Sequence, residues 1–355
     1  MDHKKPILAI TMGDPSGIGP EICARALLNA DIRAMCCPVL IGDLAPLETA
    51  MRLMHITDTQ IHVMNSIEEA DFAFDGINLL DLGIIKEGDC PLGQVSALAG
   101  HCAFCYVEKA IQLAMHGQVD GTVTAPLNKE ALHLAGHMFA GHTEIYAHFT
   151  GSGNYSMMLA HQRFRVAHVS THVSLRQACD NVQKERVLSV ILLANNACKD
   201  FGIPQPRIAV AGLNPHSGEG GLFGKEEIEQ IIPAIEEAKA LGLCVEGPIP
   251  PDTVFSKLNG GMYDICVAMY HDQGHIPVKL LGFTYDEQKQ QWNTVSGVNI
   301  TLGLPIIRVA VDHGTAFDIA GKGIASDESL RSAIGYATQM SIHQSKNTKR
   351  SNQHV

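Results

Sequence analysis

The stretch YDICVAMYHDQGHIPVK, residues 263–279, joins an apolar run of strand length to two histidines four apart, His271 and His275, with Asp272 directly after the first. The H-E-x-x-H pattern of zinc proteases needs a helix, because positions four apart then share one face and both imidazoles can grip one ion. Here Gly274 lies between the histidines and Pro277 follows two residues after His275, and both disfavour a helix interior. The run YDICVAMY reads instead as a short strand that ends at His271 and hands over to a loop. The question it raises is whether other strands of this chain also end in histidine.

The same kind of apolar run recurs as PILAITM (6–12), CPVLIG (37–42), GTVTAP (121–126), RVAHVST (165–171), RIAVAGL (207–213) and IIRVAVD (306–312). Between these lie helix-periodic segments such as GHCAFCYVEKAIQLAMHG (100–117) and KEEIEQIIPAIEEAKALG (225–242). Strands alternating with helices predict an α/β fold with a substantially parallel sheet. The chain has 355 residues, more than one core usually holds, so two α/β domains or one large one is expected. The polar, aperiodic end, residues 341–355, is expected to be disordered.

Composition narrows the function. No apolar run approaches the roughly 18 residues of a membrane helix, and the start MDHKKPILAITMGD has no signal-peptide pattern, so the cytoplasm is the expected location. A net charge of -11 and a pI near 5.9 argue against nucleic acid or an acidic membrane as partner, since both bind clustered cations. A phosphorylated small molecule needs only a few local cations. The ten cysteines are scattered and read as small hydrophobes; Cys102 and Cys105 form a C-x-x-C with no second pair to complete a zinc site.

Histidines do recur past strand ends: His172 after RVAHVST, His216 after RIAVAGL through Asn214 and Pro215, and His271 after DICVAMY. That edge of an open α/β sheet is where ligands bind. Three neutral imidazoles suit a divalent transition metal and leave coordination positions open, the catalytic arrangement. Asp272 and Asp252 are candidates to orient the imidazoles, although Asp252, after Pro250 and Pro251, also fits a turn or cap. His142 and Thr143 follow a glycine in FAGHTEIY. GDPSGIGPE (13–21) lacks G-x-G-x-x-G spacing, and reads as an anion-binding turn or simply as a tight strand-to-helix connection.

Taken together, TMGDPSGIGPE, GHTE, LNPHSGE, AMYHDQG, GVNITLGLP and DHGTAFDIAGKG resemble the 4-hydroxythreonine-4-phosphate dehydrogenase family of vitamin B6 biosynthesis, with its relatives acting on D-threonate or D-erythronate 4-phosphate. The resemblance runs from about residue 6 to 335. It implies a two-domain fold of the isocitrate and isopropylmalate dehydrogenase type, with the active site in the interdomain cleft of a homodimer. The domains expected are 1–135 plus 305–340 on the nucleotide side, and 136–304 for metal, substrate and dimerisation. The family's metal ligands fall on His172, His216 and His271, with His271 arriving from the partner of the chain that supplies the other two.

By the same resemblance, substrate contacts fall on His142, Thr143, Lys279, Asn299 and Arg308, catalytic carboxylates on Asp252 and Asp272, and the cofactor loop on His313, Gly314, Thr315 and Ala316. The implied reaction oxidises a secondary alcohol β to a carboxylate, passes hydride to NAD or NADP, and releases CO2 with help from a divalent cation such as Zn, Co or Mg. One departure stands out: LLGFTYDEQKQQWNTVSGV, between Lys279 and Asn299, is longer than the connection of the B6 enzyme, which leaves the particular acid open. The alternatives are a metal-dependent aldolase acting on a phosphorylated substrate, and a metal-dependent phosphometabolite sensor. Neither needs the HGTAFDIAGKG loop.

Overall fold

The computed structural model describes residues 5–287 and 291–352. In chain order its strands and α-helices are β1 (Ile7–Thr11), α1 (Gly19–Leu28), α2 (Ala30–Met35), β2 (Cys37–Gly42), α3 (Leu44–Leu53), β3 (Ile61–Met64), β4 (Ile77–Asp81), α4 (Ala97–Met115), β5 (Gly121–Thr124), α5 (Lys129–Leu134) and α6 (His142–Thr150). There follow β6 (Ser156–His161), β7 (Phe164–His168), α7 (Leu175–Asp180), α8 (Lys184–Asp200), β8 (Arg207–Ala211), α9 (Ile232–Ala240), β9 (Cys244–Ile249), α10 (Pro251–Asn259), β10 (Ile265–Ala268) and α11 (His271–Gly282). The chain ends with β11 (Phe283–Asp286), β12 (Gln291–Val295), β13 (Val298–Leu302), β14 (Arg308–Val311) and α12 (Glu328–Asn352). The α/β class is as expected, and each apolar run read as a strand is one.

Two compact units make up the chain: Met1–Ser152 with Leu304–Ile342, and Gly153–Gly303 with His343–Val355. In the first, the strands lie in the order β3-β4-β2-β1-β5-β14, and every neighbouring pair is parallel. Leu8, Ala9 and Ile10 are wholly buried, which is why β1 reads as a continuous apolar run rather than an alternating one. In the second, the order is β13-β6-β7-β10-β8-β9. Here β13, β6 and β7 pair antiparallel, while β7, β10, β8 and β9 run parallel. Its core gathers Leu159, Val166, Ala209, Cys266 and Val278.

This topology gathers the candidate residues. Strands β7, β10 and β8 are neighbours running the same way, so His172, His271 and His216 all follow the same edge of one sheet.

Three expectations are corrected. His271 does not open a loop: it begins helix α11, with Gly274 and Pro277 inside it. Tertiary contacts outweigh the local preference. The Gln273 amide donates to the Gly212 carbonyl at 2.8 Å and its Oε1 accepts from the Met269 N–H at 2.7 Å. Gly274 packs so closely on β7 that a Cβ there would lie 2.3 Å from His168 Nε2.

Residues 341–355, expected to be disordered, lie in α12 as far as Asn352. Leu330, Ala333, Ile334, Ala337, Met340 and Ser341 are buried along it, at the three- and four-residue spacing of one helix face, and Gln344 donates to Asp200 at 3.1 Å. Finally, residues 136–152 belong to the first unit, not the second. Ile145 and Tyr146 of α6 share a core with Phe104, Val107 and Ile111 of α4, which ties α6 to that side.

The long segment after Lys279 is built as the antiparallel pair β11–β12. Residues 288–290 lie outside the described residues. Its base is stapled: Ser296 N–H donates to the Gly282 carbonyl at 3.0 Å, and His161 Nδ1 donates to the Ser296 carbonyl at 2.6 Å.

Candidate active site

In the second unit, His172 and His271 approach each other with ring centres 5.7 Å apart. They line a hollow of about 310 Å³ with Thr171, Leu175, Tyr270 and Asp272. His271 Nδ1 donates to Asp272 Oδ1 at 2.7 Å, which fixes the tautomer and leaves Nε2 for a ligand. The segments are tied to one another: Ser170 Oγ donates to the Met269 carbonyl at 3.2 Å, and Gln273 links the start of α11 to Gly212 at the end of β8.

His216 sits in an unusual turn. It has φ 52°, and Ser217, Gly218, Glu219 and Gly220 after it are also left-handed. That backbone costs a non-glycine residue about 1–2 kcal/mol, so the surroundings must hold it. Glu227, buried at 2% exposure, does so: its carboxylate accepts from the Leu213 N–H at 2.8 Å, the Asn214 N–H at 2.7 Å and the Asn214 amide at 2.9 Å. The strained turn thus holds His216 at the edge of the sheet. Glu227, Asn214 and Gln273 were not singled out from sequence. Their only signal there is proximity to His216 and His271, which does not distinguish support from filler.

Behind His271 stands a row of imidazoles. His275, one turn along α11, stacks on His271 with ring centres 3.5 Å apart and planes 12° apart, and His168 of β7 lies 4.7 Å from His275, tilted by 50°. Burial pushes the His168 imidazole down to about 4 and the His275 imidazole down to about 2, so both are neutral at physiological pH.

The other predicted residues of this unit are more dispersed. Lys279 Nζ lies 5.1 Å from the centre of the Phe283 ring, a cation–π distance. Asn299 is a half-buried residue of β13. Asp252 is exposed in the first turn of α10, where a carboxylate favours the helix dipole.

The first unit holds His142, Thr143, Arg308 and the 313–316 loop. Arg308, 3% exposed, donates from Nη2 to Thr124 Oγ1 at 3.1 Å, and its guanidinium lies 5.7 Å from the Tyr146 ring centre. Burial brings it down to about 10, so it stays charged at neutral pH. His142 opens α6 after Gly141, next to the buried Thr143. Burial and the Arg308 cation hold the His142 imidazole well below its usual range, and its buried Nε2 has no hydrogen-bond partner among the described residues. A fixed cation and an unsatisfied polar atom together suit an anionic, hydroxylated ligand.

The 313–316 loop is bound to the turn after β1. Thr315 is buried, its carbonyl accepts from the Ile18 N–H at 3.0 Å, and Ala316 is left-handed at φ 45°. Gly314 faces open space, since a Cβ there would meet nothing within 4 Å. Further along, Gly321 N–H donates to Glu21 at 2.6 Å. Glu21, Gly17, Thr49, Arg52 and Leu92 border a hollow of about 290 Å³. The exposed backbone at Gly314 and this neighbouring hollow fit a nucleotide.

For a divalent cation the fit is partial. Two imidazoles on one ion, each about 2.0–2.1 Å from it, put their ring centres roughly 5 Å apart, close to the 5.7 Å between His172 and His271. Among the described residues, however, no three His, Cys, Asp or Glu side chains of the single chain form a set that could hold a metal. The donor chemistry is suitable and the third donor is not gathered. All ten cysteines are free.

Comparison with known proteins agrees with this frame. The family described as Pyridoxal phosphate biosynthetic protein PdxA matches residues 34–337. A D-threonate 4-phosphate dehydrogenase of Cupriavidus necator is 47% identical over 341 residues, covering 96% of this chain and 98% of the relative. The enzyme of that name from Salmonella typhimurium is 48% identical over 333 residues, covering 94% and 98%. The crystal structure of a 4-hydroxythreonine-4-phosphate dehydrogenase from Klebsiella pneumoniae superposes with a TM-score of 0.83 at 44% identity, covering 95% of this chain and 100% of that one. An α/β dehydrogenase is the class defined by the fold and these likenesses. Within it, the chain belongs to the PdxA family.

Proposed function

We propose that this enzyme oxidises and decarboxylates a 4-phosphorylated hydroxy acid, D-threonate 4-phosphate in the first instance, using NAD or NADP and a divalent cation held by His172, His216 and His271. The observation that carries the substrate reading is the buried Arg308 cation beside His142, whose buried Nε2 lacks a hydrogen-bond partner among the described residues. D-erythronate 4-phosphate and 4-hydroxythreonine 4-phosphate present the same charged ends. The relatives' names support the choice of D-threonate 4-phosphate.

When bound, the cation supplies Lewis acidity toward the reacting oxygen and the nicotinamide accepts the hydride. The chain's own residues do the rest. Arg308 and Lys279 hold the charged ends of the substrate, which fixes the position of the C–H bond to be broken. His142, Thr143 and Asn299 meet hydroxyl and carboxylate oxygens. Asp272 keeps His271 in the tautomer with Nε2 unprotonated, and Asp252 is assigned to the proton balance of the site. Loss of hydride and the hydroxyl proton gives a β-keto acid, which releases CO2 as the electron pair of the carbon–carboxyl bond forms an enolate, and protonation at that carbon gives the ketone. His313, Gly314, Thr315 and Ala316 are assigned to the nucleotide.

A second copy of the chain supplies the missing donor in this reading. Ile276 and Leu280, four apart on α11, are 63% and 78% exposed, and Leu175 beside His172 is 63% exposed. Exposed apolar side chains beside an incomplete site suit a homodimer contact. No described helix is long and apolar enough to cross a membrane, and the cytoplasm is the proposed place of action.

The test is steady-state kinetics with D-threonate 4-phosphate, D-erythronate 4-phosphate and 4-hydroxythreonine 4-phosphate, with NAD and with NADP, before and after chelation and cation add-back. The expected result is highest kcat/KM for D-threonate 4-phosphate, lost on chelation and restored by Zn, Co or Mg. Activity indifferent to chelation contradicts the metal assignment.

A further inference from the structure

Helix α11 carries an arrangement that the reaction as described leaves unused. His275 is 6% exposed and His168 is 1% exposed, and neither lines the hollow. Their orientations are fixed by carbonyls. His275 Nδ1 donates to the His271 carbonyl at 2.9 Å, and His168 Nδ1 donates to the Met157 carbonyl at 3.2 Å. His271 Nδ1 donates to Asp272, so all three rings carry the proton on Nδ1.

Purely structural residues would not be chosen this way. His168 Nε2 is buried without a hydrogen-bond partner among the described residues, which costs roughly 1–3 kcal/mol, and an apolar side chain would avoid it. The helix also gives up a side chain at position 274 so that it can lie on His168, since a Cβ there would fall 2.3 Å from His168 Nε2. What the row provides is a flat, rigid support: the His275 ring lies 3.5 Å from that of His271 and within 12° of parallel. His168 lies 4.7 Å from His275, with its plane tilted by 50°. The His271 ring is thereby restrained on one face by the stack and at Nδ1 by Asp272.

We propose that His275, backed by His168, is a positioning residue for His271, whose stacked ring holds the His271 imidazole so that Nε2 is presented to a divalent transition-metal cation. This rests on the metal reading of His271. It goes further by assigning the second histidine of HDQGH a role in metal affinity without making it a ligand. Residues that orient a ligating histidine typically change metal affinity 10–100-fold. A ring platform is also specific: another aromatic ring preserves it, and an aliphatic side chain of similar volume does not.

The experiment is Co2+ titration of the full-length protein in its native assembly, followed by visible absorption, with thermal melts of each metal-free variant. His275→Phe should bind Co2+ within about threefold of wild type, and His275→Leu should bind at least tenfold more weakly, with both melting near wild type. Wild-type affinity in folded His275→Leu overturns the proposal, as does an equal loss in His275→Phe. Should His275→Leu not fold, His275→Gln, which can still donate to the His271 carbonyl but has no ring, makes the same comparison and is expected to bind weakly; wild-type affinity there overturns the proposal. Co2+ binding by wild type separates the two readings. If wild type takes up no Co2+, the metal assignment falls and this inference with it, whereas uptake that is indifferent to His275 removes the inference alone.

Discussion

Arg308 and Asp14 show how a single buried charge can be tested. Arg308 presents a planar fork suited to phosphate or carboxylate, and lysine keeps the charge but not the fork. Arg308→Lys is therefore expected to weaken binding of the phosphorylated acid by roughly tenfold or more, the loss of about one charge-assisted hydrogen bond, while NAD binding changes little; calorimetric titration of both ligands checks it, and equal losses would move Arg308 out of the substrate site. Asp14 is wholly buried in the turn after β1. Its Oδ1 accepts from the Ser16 N–H at 2.8 Å, its Oδ2 has no hydrogen-bond partner among the described residues, and burial pushes its carboxyl up to about 6. A carboxyl raised on folding favours the folded state below its unfolded value of 3.8, and that advantage is lost as pH rises through about 6. Asp14→Asn keeps the Oδ1 acceptor without the titration. Wild type should lose melting temperature relative to Asp14→Asn between about pH 4 and pH 7, and a constant difference across that range would mean that Asp14 does not titrate there.

Helix α11 marks the limit of reading this chain locally. Strands β1, β2, β5, β7, β8, β10 and β14 were legible because parallel strands buried on both faces are short apolar runs. Less apolar or edge strands such as β3 and β9 carry no such run. In α11 the sequence contains two helix-disfavouring residues, and what overrides them is distant in sequence: Gly212, bonded to Gln273, and His168, packed under Gly274. The histidines at strand ends were visible as residue types at equivalent positions, whereas the left-handed turn at His216 and its Glu227 anchor were not, because Glu227 looks like any acidic residue of a helical segment. Gly274→Ala separates the two levels. Intrinsic propensity favours alanine in a helix by about 1 kcal/mol, but the new Cβ collides with His168, and overpacking of this kind costs about 1–3 kcal/mol. Urea unfolding should show net destabilisation, and a gain in stability would show that α11 does not rest on His168. The β11–β12 pair gives a second test, because its base is fixed beside α11 at Gly282 and Ser296. If segment 284–298 shapes specificity, shortening it should lower the preference for D-threonate 4-phosphate over 4-hydroxythreonine 4-phosphate. An unchanged ratio of kcat/KM would make it a surface feature.

The proposed assembly concerns the metal donor that the described residues of one chain do not gather. His172 and His271 of the same chain lie 5.7 Å apart, no described set of three donors could hold a metal, and the proposal places one donor in a second copy of the chain. His216→Ala and His271→Ala should each be inactive alone. Where His216 and His271 come from different subunits, a mixed dimer has one intact site and one doubly damaged site. With random exchange half the dimers are mixed, so activity should recover to about a quarter of wild type under two-fold symmetry. No recovery after exchange is confirmed by mass would place these two donors in one chain. The cross of His172→Ala with His271→Ala then identifies the crossing donor: recovery assigns it to His271, and silence to His216. The most direct measurement of the proposed reaction is the simultaneous yield of reduced nicotinamide and CO2 from D-threonate 4-phosphate in a single incubation, with and without chelator. The account predicts equal yields of the two products, both abolished by chelation and restored together on adding back Zn, Co or Mg. Carbon–carbon cleavage without reduced nicotinamide, or reduced nicotinamide formed at full rate in the presence of chelator, would contradict it.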